Sequence, residues 1–315
     1  METAVLFLVF NRPEPTRRVF DAIRAARPAR LYVAADGPRA NRAGEAERCA
    51  EVRAIATAVD WPCAVMTLFR DANLGCKRGV AGGIDWFFAH EAEGIILEDD
   101  VLPDPSFFPY CTTLLERFRD TPEISMISGC NLIGDRHGAD TSYVFSRYLH
   151  VWGWASWRRA WSAYDIELRG WPSATTSAKL SAVLGGRTAA IEYWTAIFDR
   201  MARGEIDTWD YQWIFASWMH DMKAIIPAAT LVENIGFGKE ATHTTGTAPA
   251  VVQVHPKEMT FPLSHPVTGS TTRVDTLIEQ VAIEIKPPTF LRAALRRWPA
   301  LRRIVKTMRP AAAPR

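Results

Sequence analysis

The stretch Gly94-Ile95-Ile96-Leu97-Glu98-Asp99-Asp100 is an apolar run that ends in three consecutive carboxylates. Its uncharged half reads as a strand buried on both faces, the pattern of a parallel sheet covered by helices. The carboxyl edge of such a sheet is where ligands sit. Adjacent acids repel one another unless a cation or hydrogen-bond donors compensate. Hard oxygen ligands suit Mg²⁺ or Mn²⁺, and both cations also bind phosphate. The same letters, running into Pro103-Asp104-Pro105, also describe a solvated turn, so the flanking sequence has to decide.

Outward from this stretch, apolar segments at 4–10, 31–35, 64–69 and 124–128 join 94–97 as predicted strands. Helical patterns at 14–26, 43–59, 79–90 and 106–119 separate them. Short apolar strands alternating with helices of ten or more residues imply parallel pairing with helices on both faces. The expected fold is therefore α/β with a mainly parallel, Rossmann-like sheet. From about 143 the pattern changes: strands shorten and tryptophans crowd in at 152, 154, 157, 161 and 171, then at 194, 209, 213 and 218. Most of them read as core, with some available to floor a sugar site. The expected organisation is a ligand-binding half over 1–135, a second half of the same domain over 136–285, and a tail over 286–315.

Charge narrows the partners. The 315 residues carry a net +2, but residues 286–315 hold nine Lys or Arg and no acid, leaving 28 basic against 35 acidic residues before them. An acidic body argues against nucleic acid as the main partner, because that affinity rests on basic residues neutralising phosphates. The short apolar run at 4–10 reads as a first strand and not a leader. No stretch reaches the roughly 18–20 apolar residues that span a bilayer. Five cysteines in no metal-ligand spacing read as reduced thiols, which favours the cytoplasm.

The other strand ends carry candidate groups. The first runs into Asn11-Arg12-Pro13 and the second into Asp36-Gly37-Pro38. Arg12 offers a fork of donors that matches phosphate. Asp36 is able to accept a hydrogen bond from a base N–H, and Gly37 permits close backbone approach. The segment Asn73-Leu74-Gly75-Cys76-Lys77-Arg78-Gly79 precedes a helix, so its amides with Lys77 and Arg78 suit a diphosphate. It lacks the spacing of a P-loop, and no Gly-x-Gly-x-x-Gly follows the first strand. An acid for a base, cations for phosphates and a carboxylate cluster for a divalent metal together describe a nucleoside-diphosphate site.

These motifs, continued through Asn131, Gly153-Trp154, Trp209-Asp210-Tyr211-Gln212-Trp213 and Phe237-Gly238, resemble GT-A glycosyltransferases over about residues 4–245. The likeness is greatest to N-acetylglucosaminyltransferase I and bacterial family 2-like enzymes. It implies an inverting, metal-dependent transferase that moves a sugar, N-acetylglucosamine among the candidates, from a UDP-sugar to a glycan or glycolipid acceptor. It further implies Asp36 at the uracil, Asp99 at the ribose, Asp100 as ligand of Mn²⁺ or Mg²⁺ and Glu98 facing the sugar. Asp210 matches the base that deprotonates the acceptor. Asp207 or Thr208 is expected to cap its helix, whose positive end favours the carboxylate and lowers its basicity. The segment 234–243 matches a loop that closes over the donor, with Gly238 and His243 as candidate contacts. Between 170 and 203 the likeness is poor, which leaves acceptor and donor sugar open.

The tail sets Phe290, Leu291, Leu295, Trp298, Leu301, Ile304, Val305 and Met308 against six cations, an amphipathic pattern expected to rest on an anionic membrane surface at the inner face of the cytoplasmic membrane. Docking on protein is its alternative. Two other readings of the chain remain: a sugar nucleotidyltransferase, disfavoured because Asn11-Arg12-Pro13-Glu14 is not a Gly-rich basic loop, and an inactive protein of the same fold that binds a membrane or partner.

Overall fold

A computed structural model describes residues 1–236, 255–267 and 271–285. In chain order it contains β1 (Val5–Val9), α1 (Pro13–Ala26), β2 (Arg30–Ala35), α2 (Glu45–Ala56), β3 (Ala64–Phe69), α3 (Gly75–His90), β4 (Glu93–Glu98), β5 (Val101–Pro103), α4 (Phe107–Arg117) and β6 (Ile124–Ser128). It continues with β7 (Tyr143–Ser146), β8 (Trp154–Trp157), α5 (Arg158–Trp161), α6 (Ala174–Val183), α7 (Thr188–Ala202), α8 (Asp210–Met219), β9 (Lys223–Pro227), β10 (Val232–Asn234) and α9 (Thr272–Val281). Every strand and helix anticipated in the first 130 residues is present. The third helix begins four positions earlier than its pattern, at Gly75, because Asp207 accepts from the Lys77 amide at 3.3 Å and satisfies the free helix start.

Eight strands form one sheet in the order β3-β2-β1-β4-β8-β6-β9-β7, and β5 pairs with β10 in a small second sheet. The pairs β3–β2, β2–β1, β1–β4 and β6–β9 are parallel, whereas β8 runs antiparallel between β4 and β6. The sheet is therefore mostly parallel and α/β, as anticipated. The two halves of the chain interleave in it, since β8 and β9 come from the second half and flank β6.

Side-chain alternation explains the layering. In β1, Leu6 and Leu8 enter one apolar core while Val5, Phe7 and Val9 enter the other. The tryptophans belong chiefly to the first core: Trp154 stacks on Trp209 at 5.7 Å between ring centroids, and Trp161 meets Trp213 at 5.1 Å. Burying each such side chain contributes about 1.5–3 kcal/mol. α8 is thereby pinned to the sheet from below. Among the described tryptophans, Trp152 is the one that lines the cleft described next.

α9 adds buried ion pairs to the apolar contacts that Val274 and Ile278 make in the first core. Asp275 is fully buried and accepts from Ser146 Oγ, the Arg147 amide and Arg147 Nε at 2.7–3.0 Å, while Glu279 takes the Tyr148 hydroxyl and pairs with Arg187.

Candidate active site

A cleft of about 400 Å³ lies across the carboxyl ends of β1, β2 and β4. The chain leaves β1 toward β2 on one side and returns to β4 on the other, so the cleft sits at the switch point where open α/β sheets bind ligands. Pro13 starts α1 immediately after β1, which leaves Arg12 at the turn with its side chain over the three acids. One arm of the guanidinium pairs with Asp99, and Nη1 lies 3.0 Å from Asp100 Oδ2. The second Asp99 oxygen accepts the Phe10 amide at 3.2 Å. Both Asp99 oxygens are thus engaged by protein.

The antiparallel β5–β10 pair brings residues 234–236 back over the triplet. Ile235 donates its amide to the Asp100 carbonyl at 2.8 Å. A side chain at position 236 would place its Cβ 1.9 Å from Asp100 Oδ2, so any larger residue there would have to displace this carboxylate.

Asp36 lines the opposite wall with its carboxylate turned to the loop before α3. It accepts from Asn73 Nδ2 at 2.9 Å and from the Leu74 amide at 2.9 Å, besides the Gly37 amide. A Cβ on Gly37 would lie 2.5 Å from the Ala72 backbone, which is why the two loops meet only with glycine there. Lys77 and Arg78, expected near phosphate, both pair with Glu167, at 3.6 and 2.7 Å. Asn11 turns to Glu45, at 2.9 Å. None of these three residues lines the cleft; among the described residues its cations are Arg12 and Arg39. Arg39 is a cleft residue that the sequence reading did not select, while Trp152, Asp207 and Asn234, which it named only among the tryptophans, as a helix cap and at the start of the 234–243 loop, also line the cleft. The one signal for Arg39 was its place three residues after Asp36.

Asp210 is the first residue of α8. The expected cap is not made: Thr208 Oγ1 donates to the Asp210 carboxylate and Asp207 serves the start of α3 instead. Tyr164 fixes the approach, donating its hydroxyl to the Trp209 carbonyl at 3.1 Å while its ring stacks on Trp161 at 4.2 Å. Gly238 and His243, and the tail from 286, lie outside the described residues.

Electrostatically the cleft is over-supplied with carboxylates. Burial first, then Asp100, Asp99 and Asp210, push Glu98 up to about 8, against the opposing pull of Arg12. The Glu98 carboxylate makes no hydrogen bond among the described residues. Burial raises Asp99 to about 6, with Arg12 offsetting part of the effect. Burial also raises Asp36 and Asp210, so at Asp210 desolvation outweighs the helix start and the Thr208 donor. The Cys76 thiol, pushed up to about 12 by burial and by Glu98, Asp210, Asp207 and Asp36, stays protonated and is no nucleophile. Among the described residues no three His, Cys, Asp or Glu side chains converge into a metal cage.

No family model and no curated protein matches the chain. Solved structures similar to it include the galactosyltransferase LgtC in complex with donor and acceptor sugar analogs, at 14% identity over 68% of this chain and 69% of that one, with a TM-score of 0.36. Mouse xyloside xylosyltransferase 1 matches at 11% identity over 69% and 81%, with a TM-score of 0.33. HddC from Yersinia pseudotuberculosis matches at 9% identity over 54% and 80%, with a TM-score of 0.30. The functional reading rests on the cleft itself.

Proposed function

We propose that the protein is a glycosyltransferase of GT-A type that binds a nucleoside-diphosphate sugar, with UDP the favoured nucleotide, across the β1–β4 switch point. The observation that carries this reading is the gathering of Arg12, Glu98, Asp99 and Asp100 at one sheet edge, with a buried, pKa-raised Asp210 close enough to act on Glu98 electrostatically. A fixed guanidinium, that of Arg12, beside a carboxylate pair suits a diphosphate, and a carboxylate with raised pKa suits a general base.

The carboxylates fit a hard divalent cation held by one or two protein oxygens, with water and phosphate completing its shell. Asp100 and Glu98 would hold Mn²⁺ or Mg²⁺, because both Asp99 oxygens are engaged by Arg12 and the Phe10 amide whereas Asp100 gives Arg12 only Oδ2. Such a cation, when bound, neutralises charge developing on the departing diphosphate. Arg12 contributes to the same end from within the chain. Asp210 takes the proton of the acceptor hydroxyl while that oxygen attacks the anomeric carbon from the face opposite the diphosphate. The bond from anomeric carbon to phosphate oxygen breaks, the nucleoside diphosphate leaves with the electron pair, and the configuration inverts. The acceptor is a glycan or glycolipid hydroxyl.

Replacing Asp210 by Asn keeps the shape and removes the base. Turnover of a UDP-sugar, read as UDP release, should fall about 10²–10⁴-fold with UDP affinity unchanged. In the active protein the acid limb of the rate profile should lie above the ordinary carboxylate value of 3.8, because burial raises Asp210. Near-normal turnover in the variant would remove Asp210 from the chemistry.

A further inference from the structure

Glu45 opens α2 and is fully buried, yet it serves the cleft and not the core. Its carboxylate accepts the Arg39 amide at 2.7 Å, Arg39 Nε at 3.0 Å and Arg39 Nη2. It also accepts Asn11 Nδ2 at 2.9 Å, so one carboxylate ties the loop after β1 to the loop after β2. Arg39 sits with its guanidinium carbon 5.5 Å from the Phe10 ring centroid. Its side chain is nevertheless 39% exposed and forms part of the cleft wall. The hydrogen bonds to Glu45 take the Nε–Nη2 edge of the guanidinium and fix its plane, leaving Nη1 outside them. What this leaves for a ligand is the Nη1 end and the flat face of an immobilised cation, and such a face stacks on aromatic rings. Its position on the β2 side separates it from Arg12 and the acids on the β1–β4 side.

We propose that Arg39 is a stacking platform for the nucleobase of the bound nucleotide, and that Glu45 is the positioning residue that locks it, Asn11 sharing the same carboxylate. The proposal rests on the reading of the cleft as a nucleoside-diphosphate site and orients the ligand there: base toward β2, diphosphate toward Arg12 and Asp100. The ionisation of Glu45 agrees, since the Arg39 side chain outweighs burial and holds the carboxyl at about 2.

The test is calorimetric titration of UDP, GDP and inorganic pyrophosphate, each with Mn²⁺, into the full chain and its Arg39→Ala and Glu45→Gln variants. Loss of one stacking contact should weaken the nucleotide that binds about tenfold in Arg39→Ala, with pyrophosphate affinity unchanged. Glu45→Gln should weaken it in the same direction and have no further effect once Arg39 is Ala, a coupling that a merely structural residue would not give. Equal weakening of nucleotide and pyrophosphate would make Arg39 a phosphate contact and overturn the platform. Unchanged nucleotide affinity in Arg39→Ala would overturn it as well, whether or not Glu45→Gln folds. If the unaltered protein binds pyrophosphate and neither nucleotide, the nucleoside-diphosphate reading falls together with the platform.

Discussion

His150 shows how a single buried group sets acid stability in this protein. Burial lowers its pKa to about 4 from an ordinary 6.5, and its Nδ1 has no hydrogen-bond partner among the described residues. The unfolded chain therefore binds the proton more readily, so the folded state holds the advantage of a neutral imidazole fully above pH 6.5 and loses it as the pH falls toward 4. The full window is worth about 3 kcal/mol. Denaturation midpoints measured from pH 7 to pH 4 should fall more steeply in the unaltered protein than in His150→Gln. Parallel slopes would show that His150 does not titrate on unfolding. The same physics acts with opposite sign at Asp210, where burial favours the proton and leaves the carboxylate a stronger base.

At the scale of elements, what was legible in the sequence was whatever depends on local pattern. The apolar runs, the helices between them and the polar strand ends placed β1 to β4 and put Arg12, Asp36 and the acidic triplet on one edge. What was not legible depends on partners distant in the chain. Lys77 and Arg78 lie at the start of α3, where a diphosphate would suit them, but Glu167, about ninety positions away, takes both. The cap expected for α8 serves α3, because Asp207 faces the Lys77 amide. β8 is four residues long and has no period to announce that it inserts antiparallel between β4 and β6. Arg39 depends on a buried acid six positions on, which no turn pattern signals. A direct consequence concerns the two α3 cations: Lys77→Ala and Arg78→Ala should each leave UDP affinity within about twofold, since both pair with Glu167 and neither lines the cleft. A tenfold loss in either would return them to the phosphate site.

At the scale of the whole molecule, the sheet carries the cleft, and α9 is attached by Val274 and Ile278 in the first core together with buried ion pairs. Removing one partner of a buried pair leaves the other uncompensated, so Asp275→Ala, which strands Arg147, should cost about 3–5 kcal/mol. Melting should drop by about 10 °C in a chain of this size, and a drop of a degree or two would mean that α9 contributes little to the folded state. No helix among the described residues is long and apolar enough to cross a membrane. The proposed attachment to an anionic membrane surface therefore rests on the basic pattern of residues 286–315 alone.

The central claim is that the edge formed by Arg12 and the acidic triplet holds a nucleoside diphosphate with a divalent cation. Thermal melting with saturating UDP, GDP or CMP, each with Mn²⁺ or with EDTA, tests it most directly. One nucleotide with Mn²⁺ should raise the midpoint by about 5–10 °C at a hundredfold excess over its Kd, and the shift should vanish with EDTA and in Asp100→Ala. No shift with any of the three nucleotides, or an equal shift in Asp100→Ala, would contradict the account.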